Sequence, residues 1–282
     1  MATLPPMPRD VLPQASHQRA QGRAELDVVA APEGARLKHL YQAAPSRILF
    51  PDTDPGDPTL GAFVNVAGGL AGGDRIELSL RLEEGARFTA TTPAAEKVYR
   101  SLGPATEIRT EIAVAACAAC EWLPQETILF DGAHLRRRID ITLDPEARLL
   151  AAEMLVLGRA AHGETYRRGA VLDAWRVRRG GRLVWADALR LDDPVAPGEG
   201  RFALNGANAV ATLLLAAPDA AAQRERAREL SGGGASLVAP GLLLMRWLGE
   251  AGVVRAALCD ALPVLRAAAL GHPARLPRLW RS

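Results

Sequence analysis

From Ala24 onward, apolar side chains recur at every second position in short runs. Leu26, Val28 and Ala30 alternate with polar partners, and Ile76, Leu78, Leu80 and Leu82 alternate with Glu77, Ser79 and Arg81. Ile108, Ile112 and Val114 continue the pattern, then Ile139, Ile141 and Leu143, then Trp175 and Val177. Period two sets one face of each run against a core and the other in water, as in an antiparallel sheet. Turn formers separate the runs: Glu84-Gly85, Asp131-Gly132, Asp144-Pro145, Gly180-Gly181 and Asp192-Asp193-Pro194. Residues 75–90 resemble residues 138–152, a third version spans 176–191, and 111–126 fits the same plan of strand, small-residue turn and strand. The strand starts Phe88, Leu149 and Leu183 lie 61 and 34 positions apart, so the unit recurs at about 30 residues or its double. Stacked β-units of that size bury one continuous core.

The last third reads differently. Residues 218–230 are rich in Ala and Arg, favour a helix, and are stopped by Gly232-Gly233-Gly234. Residues 237–247 suit a strand or a buried turn, and 250–270 carry Val254, Leu258, Leu262, Leu265 and Ala269 at helical spacing. Pro263 should bend that helix or split it. Residues 1–22, with Pro5, Pro6, Pro8 and Pro13, predict a disordered tail, and 23–282 one β-rich domain with a helical C-terminal portion. The expected fold is therefore mainly β: stacked antiparallel or mixed sheets built from repeated strand-turn-strand units, with one or two α-helices near the C-terminus.

Composition narrows the function classes. The 282 residues are 49% hydrophobic but only 5% aromatic, so Ala, Leu and Val must fill the core. A formal charge of +2 leaves no strongly basic footprint for nucleic acid. The longest uncharged run, 202–218, is shorter than the ~18 apolar residues of a membrane span and contains Asn205 and Asn208. Residues 1–13 lack the apolar run of an export signal, and three cysteines make no disulfide framework, so a cytoplasmic protein without membrane contact is expected.

Candidate chemistry is sparse. Cys117 and Cys120 have redox-pair spacing but lie in an Ala/Val run, which favours buried filler; Cys259 is the remaining cysteine. None of His17, His39, His134, His162 and His272 pairs with another at a metal-binding helical spacing. The glycine segment Gly68-Gly69-Leu70-Ala71-Gly72-Gly73-Asp74 lacks the Lys and Ser/Thr of a phosphate loop. Four polar-rich segments stand out instead, at 68–74, 91–101, 121–133 and 157–164, and stacked units would gather them on one side. Clustered acids such as Glu121, Glu126 and Glu164 leave a β-rich hydrolase as the alternative, although the scarcity of aromatic rings argues against a sugar platform.

Taken in order, Gly-Gly-x-x-Gly-Gly-Asp (68–74), Glu-Lys-Val-Tyr-Arg-Ser (96–101), Glu-Trp-Leu-Pro-Gln-Glu (121–126) and Leu-Gly-Arg-x-x-x-Gly-Glu (157–164) resemble the UreD (UreH) family of urease accessory proteins. The likeness runs from Ala24 to Leu279-Trp280 and includes the lead-in Pro45-Ser46-Arg47-Ile48-Leu49-Phe50-Pro51. Position 162, commonly apolar in the family pattern, is His162 here. The resemblance implies a non-catalytic β-rich scaffold that docks on the urease apoprotein and binds UreF. UreF recruits the GTPase UreG, and nickel passes to the urease active site through a water-filled tunnel in the scaffold. No tightly bound cofactor is implied, only transient Ni²⁺. Handing nickel onward calls for oxygen ligands that release it. The candidates are Asp74, Glu96, Glu121, Glu126 and Glu164, with Thr91, Tyr99 and Gln125 as polar lining and Arg100 and Arg159 orienting the carboxylates. Asp74 and Glu164 equally suit turn capping and arginine pairing. Trp247 and Trp280 are candidate partner contacts, Trp280 as an exposed anchor beside the C-terminal helix.

Overall fold

The computed structural model describes residues 19–32, 34–192 and 204–281. In chain order these form strands β1 (Gln21–Ala31), β2 (Gly34–Ala43), β3 (Ser46–Leu49), β4 (Thr59–Asn65), β5 (Arg75–Leu82), β6 (Arg87–Thr91), β7 (Glu96–Val98), β8 (Thr106–Val114), β9 (Ala119–Leu123), β10 (Thr127–Leu129), β11 (His134–Leu143), β12 (Arg148–Leu157), β13 (Ala170–Arg179), β14 (Arg182–Leu191), β15 (Ala209–Ala216), β16 (Ala235–Ala239) and β17 (Leu242–Gly249). Helix α1 (Arg224–Leu230) precedes β16, and α2 (Ala251–Leu270) follows β17. Most of the expected tail, including His17, lies outside the described residues, and β1 already begins at Gln21.

A front sheet runs β14-β13-β11-β8-β5-β1-β2 and a back sheet β16-β17-β15-β12-β9-β6-β4-β3, with β7 and β10 attached beside β12. The interior of the front sheet is parallel, from β1 through β5, β8 and β11 to β13. Only its ends are antiparallel hairpins, β1–β2 and β13–β14, and each carries a bulge, at Asp27/Val28 and at Val177/Arg178. Alternation along one strand fixes which side chains face inward; it is silent on the direction of the neighbour. The direction follows from the path. After β5, β8 and β11 the chain crosses to the back sheet through a four-residue turn, then returns and re-enters the front sheet pointing the same way.

Those crossing turns explain the repeat. Ala86 N donates to Glu83 O, Ala118 N to Ala115 O and Ala147 N to Asp144 O, and neighbouring turns bond to each other through Ala119 N–Ala86 O and Arg148 N–Ala118 O. Arg75 pairs with Glu107, and Glu107 with Arg136, so successive coils are about 30 residues apart. The echoes at 75–90, 111–126 and 138–152 are thus consecutive coils. The third version, 176–191, is not a coil. Gly180 and Gly181 both have positive φ (53° and 78°), the geometry of a tight hairpin turn, so the chain folds back along the front sheet.

Apolar inward faces of the two sheets form one core, which includes Leu26, Leu80, Ile112, Ile139, Phe88 and Leu149. The far side of the back sheet packs against α2 through Val254, Leu258, Ala261, Leu262 and Leu265. Glu250 caps α2 by accepting from Val253 N at 3.0 Å, and Gly271 ends it at φ 66°. Pro263 does not split the helix, because its buried stripe holds both halves on one sheet. Residues 237–247 form the β16–β17 hairpin, and 218–230 yield a short 3-10 turn leading into α1. No helix among the described residues is long and apolar enough to cross a membrane.

Candidate functional site

The four polar segments do gather on one side of the coil. Tyr99 N donates to Leu70 O, Phe130 N to Val98 O, Ser101 N to Gly132 O, and Gly158 N to Leu129 O, so turns from successive coils stack into a ladder. Tyr99 packs edge-on against Phe130 at 5.0 Å, and the Arg159 guanidinium lies 4.0 Å above the Phe130 ring. Gly69 is required here: a Cβ would sit 2.6 Å from the Tyr99 ring, whose hydroxyl donates to Gly68 O. Asp74 caps its own turn, accepting from Ala71 N at 2.7 Å and from Ala20 N at 2.8 Å. Glu164 accepts from Asp131 N and forms an ion pair with Arg159. Arg100 lies exposed across Gly132, and His162 is exposed in the turn before Gly163.

A second group sits where the C-terminal segment crosses the back sheet. Glu121 has no exposed surface. Arg266 donates to both of its oxygens, at 2.7 and 3.0 Å, and Thr89 Oγ1 donates to Oε2 at 2.5 Å. His272 Nδ1 lies 3.1 Å away. Burial alone would lift this carboxyl, but His272 and Arg266 outweigh it and hold Glu121 down at about 2. Glu126 pairs with Arg255 of α2, and Gln125 Nε2 donates to Leu279 O at 2.9 Å. Trp280 is not the exposed anchor its terminal position predicts. It is 6% exposed, and its Nε1 donates to Leu123 O and to Thr91 Oγ1, which in turn donates to Leu123 O. A terminal indole with both a polar and an apolar need is better satisfied by the sheet than by water. Trp247, half-buried, packs into the same apolar layer.

Glu96 stands between these groups. Both oxygens accept from Asn65 Nδ2 at 3.1 Å, and Lys97 N donates to Oε1 at 3.1 Å. Burial lifts its carboxyl to about 7, against the pull of those bonds.

A third group lies between the sheets. Arg137 on β11 donates to both oxygens of Asp173 on β13 at 2.8 Å, reaches Thr127 Oγ1 at 3.2 Å, and pairs with Glu153 on β12. Glu153 also accepts from Trp122 Nε1 at 2.9 Å. Burial holds the Glu153 carboxyl above its ordinary range despite Arg137. These three side chains floor a cavity of about 460 Å³ that also meets Asp187, Thr212 and Arg246. None of them was a sequence candidate. The available signal was Glu153, the lone charge inside the apolar run from Leu149 to Leu157.

The sequence candidates therefore divide between the turn ladder and the C-terminal corner, and no three acidic, His or Cys side chains among the described residues converge as a metal cage. Cys120 is buried, which pushes its thiol up, while Cys117 is exposed on a crossing turn. Residues 20–281 match the family described as UreD urease accessory protein. This chain belongs to the UreD family. It is 50% identical over 240 residues to the urease accessory protein UreD of Granulibacter bethesdensis, covering 83% of this chain and 100% of that protein. Identity to the Magnetococcus marinus UreD is 44% over 274 residues, covering 93% and 94% of the two chains. UreD membership places the protein in urease maturation. The motifs that carry the UreD resemblance are largely the stacked turns and the Glu121 corner, where glycines and buried ion pairs leave few other residues able to fit.

Proposed function

We propose that this chain is a non-catalytic nickel metallochaperone scaffold that docks on the urease apoprotein in the cytoplasm, binds UreF and, through UreF, receives nickel from UreG for the urease active site. The observation that carries the reading is the pairing of UreD membership over residues 20–281 with buried carboxylates at the floor of a cleft between the sheets. Oxygen ligands suit a borderline cation that must move on, and a site with too few donors for a closed cage suits release. Asp74, Glu121, Glu126 and Glu164 are engaged by backbone or arginine partners, as Glu153 and Asp173 are by Arg137, but of these six only Glu153 and Asp173 line the cleft of about 460 Å³. Glu153 and Asp173 face the cavity, and Glu96 holds a labile proton. We assign nickel transit to these three.

The hydrolase alternative loses ground, because Glu121 is sealed from solvent and a glycosidase carboxylate must meet its substrate. The test is co-expression with a urease gene cluster lacking its own UreD. The wild-type chain should restore urease nickel content. Glu153→Gln combined with Asp173→Asn should lower nickel per urease while the accessory complex still copurifies. Full nickel loading by the double variant would sink the transit assignment, and no restoration by wild type would sink the scaffold role.

A further inference from the structure

Among the described residues no layer covers the outward face of the front sheet, unlike the back sheet under α2. Its strands can be read across by register. Over β1, β5 and β8, opposite charges are neighbours: Arg75 beside Glu107, Glu77 beside Arg109, Asp27 beside Arg81. Arg75 and Glu107 form an ion pair at 3.0 Å. Cross-strand pairing of this kind neutralises the face locally.

From β11 onward the balance shifts toward arginine. Outward positions on β11, β13 and β14 hold Arg136, Arg138, Arg176, Arg178 and Arg190, and Asp140 is the one carboxylate on these strands' outward side. Asp140 is taken by Arg138, and Arg190 pairs with Asp192. Among the described residues, Arg136, Arg176 and Arg178 form no ion pair. Across the strands Arg136 faces Glu107 and Leu172, Arg176 faces Asp140 and Ala186, and Arg178 faces Thr142 and Leu183; Leu172 is 41% exposed. Five arginines against one carboxylate thus share this face with exposed Leu172 and small side chains, and three of the five form no ion pair among the described residues. Arginine around an apolar centre is the composition of a protein interface.

We propose that the outward face of β11, β13 and β14 is a docking surface for a protein partner whose contact surface is rich in Asp and Glu. This rests on the docking reading above and adds which face is used and what chemistry meets it. A protein fits better than a nucleic acid, because Asp140 and Leu172 sit within the patch and the whole chain carries a formal charge of only +2.

The experiment uses the full chain with purified urease apoprotein and purified UreF as separate immobilised probes. Arg136→Glu, Arg176→Glu and Arg178→Glu together should weaken binding to one probe by about tenfold or more and flatten its salt dependence. A control with the same charge change on exposed α1 positions, Arg224→Glu, Arg226→Glu and Arg228→Glu, should bind as wild type does. Thermal melting identifies misfolding, and the milder Arg→Gln triple should then give an intermediate loss. Unchanged binding of the folded triple variant to both probes would overturn the proposal. So would a loss confined to duplex DNA retention, which would mark a nucleic-acid surface. A wild-type chain that binds neither probe would overturn the docking reading itself, and this proposal with it.

Discussion

Two glutamates of one protein are pushed in opposite directions, and the difference lies in their partners. Glu121 is met by a bidentate arginine, a hydroxyl and an imidazole, which hold it ionised near 2. Glu96 has an amide and a backbone N–H, too little to offset burial, and rises to about 7. The signs for stability are opposite. A depressed carboxyl contributes stability above its unfolded value of 4.5 and loses it as pH falls toward about 2. A raised one does the reverse: the folded state is penalised increasingly as pH climbs from 4.5 to about 7. Glu96→Gln should therefore stabilise the protein by about 1–2 kcal/mol at pH 8 and hardly at all at pH 4. Equal urea midpoints for this variant and wild type at pH 8 would contradict that. Glu121→Gln leaves buried Arg266 with Asp57, at 3.2 Å, as its remaining counter-charge and should cost about 3 kcal/mol near neutrality, read by the same denaturation. Its acid limb should also be flatter than wild type's.

The crossing turn is the element that sets the coil. In the first coil its left-handed position is Gly85, at φ 69°; in the next it is Cys117, at φ 55°. A non-glycine residue there costs roughly 1–2 kcal/mol, partly returned by lower chain entropy. Cys117→Gly should raise stability by about 0.5–1 kcal/mol and leave partner binding unaltered, measurable as a shift of the thermal midpoint. Turns and alternation were what the sequence made legible. Strand positions, the coil repeat and the stacking of turns from the four polar segments all followed from local chemistry. Strand direction did not, because a parallel and an antiparallel neighbour demand the same alternation. Trp280 misled for a related reason: position near a terminus says nothing about the unsatisfied carbonyl of Leu123 that receives it. The Arg137 network was hidden because its members, Arg137, Glu153 and Asp173, are 16 or more positions apart and meet only when three strands stack.

At the scale of the molecule, that network lets a mostly apolar interior hold charge. One guanidinium serves two carboxylates, so removing it exposes their repulsion as well as their burial. Arg137→Met should destabilise by about 3–5 kcal/mol at neutral pH, and by less in mild acid, where Glu153, its carboxyl already lifted by burial, takes up a proton. A pH-independent loss would show that packing, not charge, is what Arg137 supplies. The bulged hairpins that end the front sheet have a consequence of a different kind. A row of parallel coils invites another copy to continue it, and a twisted, interrupted rim refuses that continuation. The stack is finished at both rims. Among the described residues the broad side stays open, so the proposed docking would join the protein flank to flank with something unlike itself rather than lengthen the stack into a fibre.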